Sequence, residues 1–465
     1  MRTSFFKFLI IITIVSAFSS CLWDDEEVDL STDPTFVSLV FKENDSIPGL
    51  EDAVFTYEYD AALGDSVIVN LDSLPYQTRI DSVFPTFTFK SSAGAFLIQS
   101  DASSATGLDT VFITGTDTID FNKVLRVVNY AANGKDSCSY RIKVNVHKVE
   151  PELYVWSKKV DQIYNHNGSV QKAIFFKNKF FFYVSSGVNN YLYTSTNAGN
   201  WMGETLSGLP NDDCNFRNIA IFKDKLYLVH QNGNVYTSAD GYNWVTLNPG
   251  VAGYTIINLL FELDNQLWSV FRNQLTQKYY FGTSTDGASW VIDATIPNNF
   301  PVMDFAALSF KSRTNKTKAI VLSGRDPEGN LLNSVWSVQK NVFDEYKWVN
   351  FAVDNQSLDT MAGASIINYD NKLLLFGGFK DRDDNLADKT YWESIDEGLS
   401  WRAADTVYNV IEDMEIPLSY KSRSFQSVIH DELTHNIYLF GGRTKDRVFT
   451  DVWVGKLNRL SFLRQ

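Results

Sequence analysis

Cysteine and histidine are scarce in this chain of 465 residues, which has three of the former and five of the latter. Cys21, Cys138 and Cys214 show no metal-ligand spacing, and the histidines form no His-Glu-x-x-His pattern, so we predict neither a metal nor a cofactor. Cys138 and Cys214 are expected as two buried thiols, although a disulfide between them stays possible. Basic residues form no cluster and the formal net charge is −14, so nucleic acid is not expected as a partner. Beyond the N-terminus, no apolar run approaches the roughly 20 residues that a membrane helix needs.

The N-terminus has the layout of a secretory signal. Arg2 and Lys7 precede an apolar run at residues 8–15, and the small residues of 16–20 then lead to Cys21. This arrangement resembles a bacterial lipobox, which implies that residues 1–20 are a signal peptide and that Cys21 carries the lipid. The alternative is an ordinary signal peptide followed by an incidental cysteine.

Residues 21–33 form an acidic stretch that would be solvated and extended, because residues 24–27 are all Asp or Glu. An acidic run directly behind a lipidated cysteine resembles the export signal of surface lipoproteins of Bacteroidota. That resemblance implies a protein that is lipid-anchored in the outer membrane and faces the cell exterior. The alternative is a plain acidic tether on a lipoprotein that faces the periplasm.

Residues 34–149 alternate polar and apolar positions with a period of two, as half-buried strands do. About seven short strands separated by turn clusters predict an immunoglobulin-like β-sandwich. The pattern that closes this domain resembles the sandwich modules that stand behind the anchor of such lipoproteins, so a spacing role is expected. Asp followed by Ser or Thr and an apolar residue recurs here, for example at residues 65–67, and resembles the O-glycosylation sequon of Bacteroidota. Turn residues that enter strands explain this recurrence equally well.

A short phrase repeats in the second half of the chain: a strand ends at Ser, Asp caps the turn, Gly takes a positive φ, and Trp opens the next strand. The phrase resembles the Asp-box hairpin of sialidase-like propellers, where it is a folding device remote from the ligand. Looser copies end at Trp201 and Trp401. The structural residues of the two full copies and of the copy that ends at Trp401 are Ser238, Asp240, Gly241, Trp244, Ser284, Asp286, Gly287, Trp290, Ser394, Asp396, Gly398 and Trp401.

The Trp residues that open these strands recur at intervals from 43 residues (Trp201 to Trp244) to 58 residues (Trp290 to Trp348). Each interval holds four strands, which is the content of a propeller blade. The last two units carry a double Gly after the second strand and resemble kelch repeats. Because the final unit lacks a fourth strand and the strand around Trp156 can supply it, we predict a six-bladed propeller over 150–465 that is closed by its two ends.

The ligand face of a propeller is built by the loops that enter each first strand and those that join the second and third strands. A ring of Arg side chains there would suit carboxylate or sulfate groups, because guanidinium donates two parallel hydrogen bonds to them. The alternative for each Arg is an exposed loop position or an ion pair with a neighbouring Asp. The candidate residues are Arg217, Tyr254, Asp304, Arg423, His230, Arg272, Arg325 and Arg443.

The whole chain resembles uncharacterised two-domain lipoproteins of Bacteroidota, which supply no activity. The first hypothesis is a binding module for a glycan or an outer-membrane partner protein in nutrient capture. The second is a carbohydrate-active hydrolase or lyase with carboxylates in the central pocket, and the third is a structural or adhesive role. Asp304 is the one carboxylate that the entry loops offer, which disfavours the enzyme, since glycoside hydrolysis uses two.

Overall fold

The computed structural model describes residues 29–47, 49–212, 214–247, 251–351, 358–380, 391–404 and 420–461. The predicted signal peptide and Cys21 lie outside the described residues. The chain divides into two compact units, Met1–Pro151 and Glu152–Gln465. The described residues contain strands and two short 3-10 helices, η1 (Phe216–Asn218) and η2 (Asn458–Ser461). Within the same residues, no helix has the length and apolar character needed to cross a membrane.

The N-terminal unit is built from two sheets. A six-stranded sheet has the order β2-β3-β8-β7-β5-β6, in which β3 and β8 are parallel, and β1 pairs separately with β4. Its strands are β1 (Phe36–Phe41), β2 (Phe55–Asp60), β3 (Asp65–Asn70), β4 (Pro85–Phe89), β5 (Gly94–Ser100), β6 (Leu108–Phe112), β7 (Val124–Tyr130) and β8 (Ser137–Lys143).

The core of this unit lies between the β1–β4 pair and one face of the larger sheet. Phe36 and Phe41 of β1 are buried with Ile68 of β3 and Val127 of β7. The backbone N–H of Phe36 donates to the Tyr140 hydroxyl over 3.2 Å, which joins the two sheets through a buried polar contact. The period of two in the sequence therefore corresponds to one buried face and one solvated face.

The described strands of the C-terminal unit form six four-stranded antiparallel sheets, numbered here in chain order. The first sheet has β10 (Val170–Phe176), β11 (Lys179–Ser185), β12 (Asn190–Ser195) and β13 (Met202–Glu204). The second has β14 (Ile219–Phe222), β15 (Lys225–Val229), β16 (Val235–Ser238) and β17 (Val245–Leu247). The third has β18 (Tyr254–Leu263), β19 (Gln266–Asn273), β20 (Tyr279–Ser284) and β21 (Val291–Thr295).

The second half of this unit repeats the arrangement. The fourth sheet has β22 (Ala306–Lys311), β23 (Thr317–Leu322), β24 (Val335–Lys340) and β25 (Tyr346–Asn350). The fifth has β26 (Ser365–Tyr369), β27 (Lys372–Phe376), β28 (Trp392–Ser394) and β29 (Arg402–Ala403). The sixth has β30 (Ser427–Asp431), β31 (Asn436–Phe440) and β32 (Val452–Leu457), and β9 (Tyr154–Val160) is its outer strand.

The first strands of neighbouring sheets contact one another around a common centre. From β14, contacts run through β18, β22, β26 and β30 to β10, and η1 touches β10. Side chains reinforce these contacts, since the Ser427 hydroxyl accepts the Ala173 N–H over 2.8 Å. At the periphery β9 pairs with β32, and Trp156 lies over Gly455, where a Cβ would come within 2.2 Å of the indole.

The Ser-x-Asp-Gly turns are held by their own side chains. The Ser238 hydroxyl accepts the Gly241 N–H over 2.9 Å, and Asp240 Oδ1 accepts the Tyr242 and Asn243 N–H groups over 2.8 and 2.9 Å. Although burial raises the pKa of the Asp240 carboxyl, the hydrogen bonds from Asn243, Tyr242 and Ser238 lower it to about 2. The carboxylate form therefore caps the turn across the physiological pH range.

Each such turn also packs against the second strand of the preceding sheet. Gly287 has φ +78°, and a Cβ there would lie 2.3 Å from the Tyr227 ring of β15. The Lys223 ammonium donates to the Thr285 carbonyl over 2.6 Å beside it. Gly241 meets Phe181 of β11 in the same way. The repeated glycine is therefore required for contact between sheets as well as for the turn itself.

We expect Gly287→Ala to lower the free energy of unfolding by about 2–5 kcal/mol, because the left-handed backbone costs about 1–2 kcal/mol and overpacking against Tyr227 about 1–3 kcal/mol. Gly253→Ala is the matched control, since Gly253 also has φ +78° but a Cβ there meets nothing within 4 Å. That variant should lose only about 1–2 kcal/mol. Urea denaturation measures both, and equal losses would contradict the inter-sheet role.

Candidate functional site

The first strands of the six sheets begin around a central cavity of about 170 Å³. Every sheet contributes to its wall, because each first strand or the turn before it faces the common centre. One lining residue from each sheet, in chain order, is Lys172, Arg217, Asn258, Asp304, Gly363 and Phe425. This is the principal place where the C-terminal unit brings side chains from distant parts of the chain together.

Three of these residues form a chain of backbone hydrogen bonds along the cavity rim. Asp304, Gly363 and Phe425 have φ of +51°, +69° and +55° and occupy equivalent positions two residues before their first strands. The Gly363 N–H donates to the Asp304 carbonyl over 2.8 Å, and the Phe425 N–H donates to the Gly363 carbonyl over 2.7 Å. This succession fixes the fourth, fifth and sixth sheets relative to one another and orients the Asp304 and Phe425 side chains.

The same three sheets share a second turn after their second strands. Ser323-Gly324, Gly377-Gly378 and Gly441-Gly442 all have positive φ. The fourth sheet therefore has the same turn as the fifth and sixth, with Ser323 in place of the first Gly, a substitution that concealed it in the sequence. The turn is packed tightly, since a Cβ at Gly377 would lie 2.1 Å from a backbone carbonyl of the sixth sheet.

Arg217 is positioned by η1 and lies over an aromatic ring. Its guanidinium carbon is 3.6 Å from the centre of the Phe425 ring, and its Nη1 is 3.7 Å from Asp304 Oδ1. The other oxygen of Asp304 is 3.4 Å from Arg325 Nε, and Arg443 stands 4.9 Å from the Phe425 ring. Arg217, Arg325 and Arg443 thus gather around one carboxylate and one aromatic ring.

Lys172 adds a further cation to the cavity wall. Burial lowers the pKa of its ammonium, and the nearby positive charge of Arg217 lowers it further. Two amide atoms on the same wall, Asn215 Oδ1 and Gln426 Nε2, are buried and have no hydrogen-bond partner among the described residues. Like charges held together beside unsatisfied polar atoms are an arrangement typical of a binding site.

The structure distributes the sequence-predicted residues among different roles. Arg217 and Asp304 line the cavity, while Arg325 and Arg443 contact its lining residues. Arg423 is only 2% exposed, and its Nη1 lies 2.5 Å from Asp451 Oδ1. Its guanidinium is therefore engaged inside the sixth sheet and is not presented on the ligand face.

The remaining candidates lie away from the cavity wall. Tyr254 packs edge-on against Tyr280 at 5.5 Å, and Arg272 is near the end of β19. His230 is buried, and its Nε2 is 3.1 Å from Asp212 Oδ1 and near Cys214, so these three side chains could hold a metal ion. Cys138 and Cys214 form no disulfide with each other, but only Cys214 is buried, so the expectation of two buried thiols is wrong for the half-buried Cys138.

The sequence did not identify Lys172, Asn215 or Gln426 as site residues, because candidates were sought only in the loops. Lys172 lies inside β10, in the segment Val170–Phe176, where the neighbouring Gln171 and Ala173 are buried. A Lys inside an otherwise largely buried first strand was the available signal. Gln171 is equally informative, because its Oε1 accepts the Gly442 N–H over 2.9 Å and joins the first sheet to the sixth.

A groove of about 840 Å³ runs between the sixth and first sheets. Tyr164 and His166 line it and stack with ring centres 4.4 Å apart, and His166 Nε2 is 2.8 Å from the Tyr193 hydroxyl. Arg443 lines the groove and also faces the Phe425 ring of the cavity. The groove and the cavity are thus joined through this side chain.

Residues 150–465 match the model described as "DUF6242 beta propeller domain", and residues 40–144 match that of the DUF6242 N-terminal domain of unknown function. The chain belongs to the DUF6242 family. The prediction of an all-β chain with a C-terminal propeller in a family of unknown function is therefore confirmed. The six sheets and the cavity at their centre belong to this DUF6242 propeller domain.

Solved structures resemble this DUF6242 protein weakly. A luciferin-regenerating enzyme matches with a TM-score of 0.38 and 9% identity over 65% of this chain and 95% of its own. YCF48 bound to a D1 peptide matches with a TM-score of 0.35 and 12% identity over 68% and 98%. The search of curated proteins found no match. Likenesses at these values carry no argument about function.

We expect Lys172→Met to raise the Tm at neutral pH, because it removes a cation whose charged form is disfavoured by burial and by Arg217. In the folded state Lys172 loses its proton at a lower pH than in the unfolded state, where the ordinary value is 10.5. The penalty is therefore complete below the folded pKa and fades as pH rises towards 10.5.

The gain in Tm of Lys172→Met should accordingly shrink between neutral and alkaline pH. Lys225→Met, at an exposed position of β15, is the matched control and should change the Tm little at either pH. Thermal unfolding followed by circular dichroism gives both values. A loss of Tm in Lys172→Met at neutral pH would show that Lys172 stabilises the fold instead.

Proposed function

We propose that the DUF6242 propeller is a binding module whose ligand, a glycan with carboxylate or sulfate groups, places one anionic group in the central cavity. The observation that carries this proposal is the presence of two cations, Lys172 and Arg217, on one wall whose single carboxylate, Asp304, lies 3.7 Å from Arg217, so that positive charge exceeds negative charge there. An incoming anion would relieve their repulsion and gain charge-assisted hydrogen bonds.

The geometry around Arg217 supports a planar or tetrahedral anion. The Arg217 guanidinium, held 3.6 Å from the centre of the Phe425 ring, is a group whose paired N–H donors match the geometry of carboxylate and sulfate. Asn215 Oδ1 and Gln426 Nε2 offer an acceptor and a donor to the neighbouring hydroxyl groups of a sugar. The cavity has room for one charged group with a small part of its sugar, and the adjoining groove could take the rest.

The carboxylates of the cavity favour binding over hydrolysis. Among the described lining residues Asp304 is the only carboxylate, and Arg217 and Arg325 flank it. Glycoside hydrolysis uses two carboxyl groups about 5–10 Å apart. The alternative of a hydrolase or lyase therefore lacks its second group on the described wall. A concave, charged cavity also speaks against a purely structural or adhesive role.

The proposal also includes the architecture of the two units and the location of the protein in the cell. The six four-stranded sheets and the β9–β32 pairing support a six-bladed propeller closed by its two ends. The two facing sheets of the N-terminal unit support an immunoglobulin-like spacer. The signal layout before Cys21 and the acidic run behind it support a lipid-anchored protein of the outer membrane that faces outward and serves nutrient capture.

Binding of the purified protein to an array of acidic, sulfated and neutral glycans tests the ligand class. We expect acidic or sulfated glycans to bind and their neutral counterparts to bind weakly. Lys172→Met and Arg217→Met should each weaken binding about tenfold or more, the value of one charge-assisted hydrogen bond. Arg272→Ala, outside the cavity lining, is the control and should bind normally.

The anion site would be contradicted if neutral glycans bound as tightly as acidic ones. It would also be contradicted if Lys172→Met and Arg217→Met both bound as tightly as the unchanged protein. If no glycan binds, an acidic segment of an outer-membrane protein becomes the candidate ligand, because it would bind the same two cations. Added salt should weaken binding in either case, since screening reduces the contribution of the two cations.

The lipid anchor predicts that Cys21→Ala releases the protein from the membrane fraction and abolishes the incorporation of labelled fatty acid. Replacement of residues 24–27 by Asn and Gln should leave the lipid in place but reduce digestion by protease added to intact cells. Cys138→Ser is the matched control and should change neither property. Membrane attachment without Cys21 would exclude lipidation at that residue.

A further inference from the structure

Three side chains with metal-binding atoms lie together at one end of the second sheet. Asp212 and Cys214 belong to the segment between β13 and η1, and His230 directly follows β15. The candidate ligand atoms of the three all lie within 4.8 Å of one another. Cys214 is 0% exposed and His230 1%, whereas the Asp212 side chain is 57% exposed. The cluster is therefore buried on one side and open to solvent on the other.

We propose that Asp212, Cys214 and His230 bind one zinc ion. Thiolate sulfur, imidazole nitrogen and carboxylate oxygen are the ligand types that zinc takes in proteins, and bonds of about 2.0–2.3 Å place tetrahedral ligand atoms about 3–4 Å apart. His230 Nε2 and Asp212 Oδ1 already stand 3.1 Å apart. The open side next to Asp212 leaves the fourth position to water.

A fourth side chain supports the ligand segment. Asn190 Nδ2 donates to Cys214 Sγ over 3.3 Å and to the backbone carbonyls of Pro210 and Asp212 over 2.8 and 3.1 Å. The Asn190 amide thus holds the backbone near Asp212 and Cys214. It also donates a hydrogen bond to the Cys214 sulfur, and this bond becomes stronger when the thiol loses its proton. Outer partners of this kind orient metal ligands in zinc sites.

Zinc binding changes where the protons of the cluster lie. The Cys214 thiol gives its proton to solvent when the sulfur–zinc bond forms, and a carboxylate gives none. His230 Nδ1 accepts the Asn232 N–H over a long 3.3 Å, so its ring proton sits on Nε2, facing Asp212. Zinc at Nε2 moves that proton to Nδ1 and opens the contact with Asn232. One proton is therefore released per ion bound.

The site would clamp the segment that carries Arg217. The Phe216 N–H donates to the Cys214 carbonyl over 2.9 Å, and η1 begins at this residue. Zinc between Cys214 and His230 would thus tie η1 to the end of β15. The ion would hold this segment in place, and this effect does not depend on which ligand the central cavity takes.

Cobalt(II) titration of the full-length protein, reduced and stripped of metal, tests the site without any activity assay. We expect one ion per chain, with a thiolate-to-cobalt charge-transfer band in the near ultraviolet and visible bands of tetrahedral intensity. Zinc should displace the cobalt and raise the Tm, because it binds only the folded state. The absence of a thiolate band at stoichiometric cobalt would overturn the proposal.

The variants assign the band to its residues. Cys214→Ser should abolish it, while Cys138→Ser, the matched thiol control, should retain it. Because Cys214 is buried and the Asp212 side chain is exposed, Asp212→Asn disturbs the fold less than Cys214→Ser, and it should weaken metal binding about tenfold or more. His230→Gln should do the same. A band that survives in Cys214→Ser, or unchanged affinity in both Asp212→Asn and His230→Gln, contradicts the assignment.

Discussion

Three contacts between neighbouring sheets of the C-terminal unit depend on one close approach, that of a turn glycine in one sheet to a side chain on the second strand of the sheet before it. Gly241 meets Phe181, Gly287 meets Tyr227, and Gly398 meets Ile320, where an added Cβ would lie 2.3–2.4 Å away in every case. A four-stranded sheet with two apolar faces cannot be stable alone, so each must be covered by its neighbours. The glycine sets how closely they come.

The cavity follows from this packing, because sheets fixed at their outer turns bring their first strands to a common centre. The fourth to sixth sheets add a second device, the backbone hydrogen bonds that join Asp304, Gly363 and Phe425. These bonds fix the rim against which Arg217 stacks. Rigid support of this kind lets a protein hold two cations near each other without rearrangement, which is what a preorganised anion site requires.

The features that a sequence makes predictable are local ones. The turn phrase places Ser, Asp, Gly and Trp within seven or eight residues, so the hydrogen bonds of the turn can be inferred from spacing alone. The Arg423–Asp451 pair could not be inferred in that way, since 28 residues separate its members. Lys172 could not be predicted as a cavity residue for a related reason. Whether a strand residue faces a neighbouring sheet or a central cavity depends on the arrangement of all six sheets. The location of the cavity was predictable from the sequence, but the residues that form its wall were not.

The cavity and the Asp212–Cys214–His230 cluster share one segment of the chain. Residues 214–218 begin at a buried thiol, pass through the buried Phe216 and end on the cavity wall at Arg217 and Asn218. Phe216 stacks on Tyr183 of the first sheet at 5.2 Å, so this short segment also fills the space between two sheets. Its length leaves little freedom for Arg217 once Cys214 is fixed. The position of Cys214 and the position of the Arg217 guanidinium are therefore coupled through the backbone. A change that increases the mobility of Cys214 must also alter the position of Arg217 in the cavity, even though the two sites share no side chain.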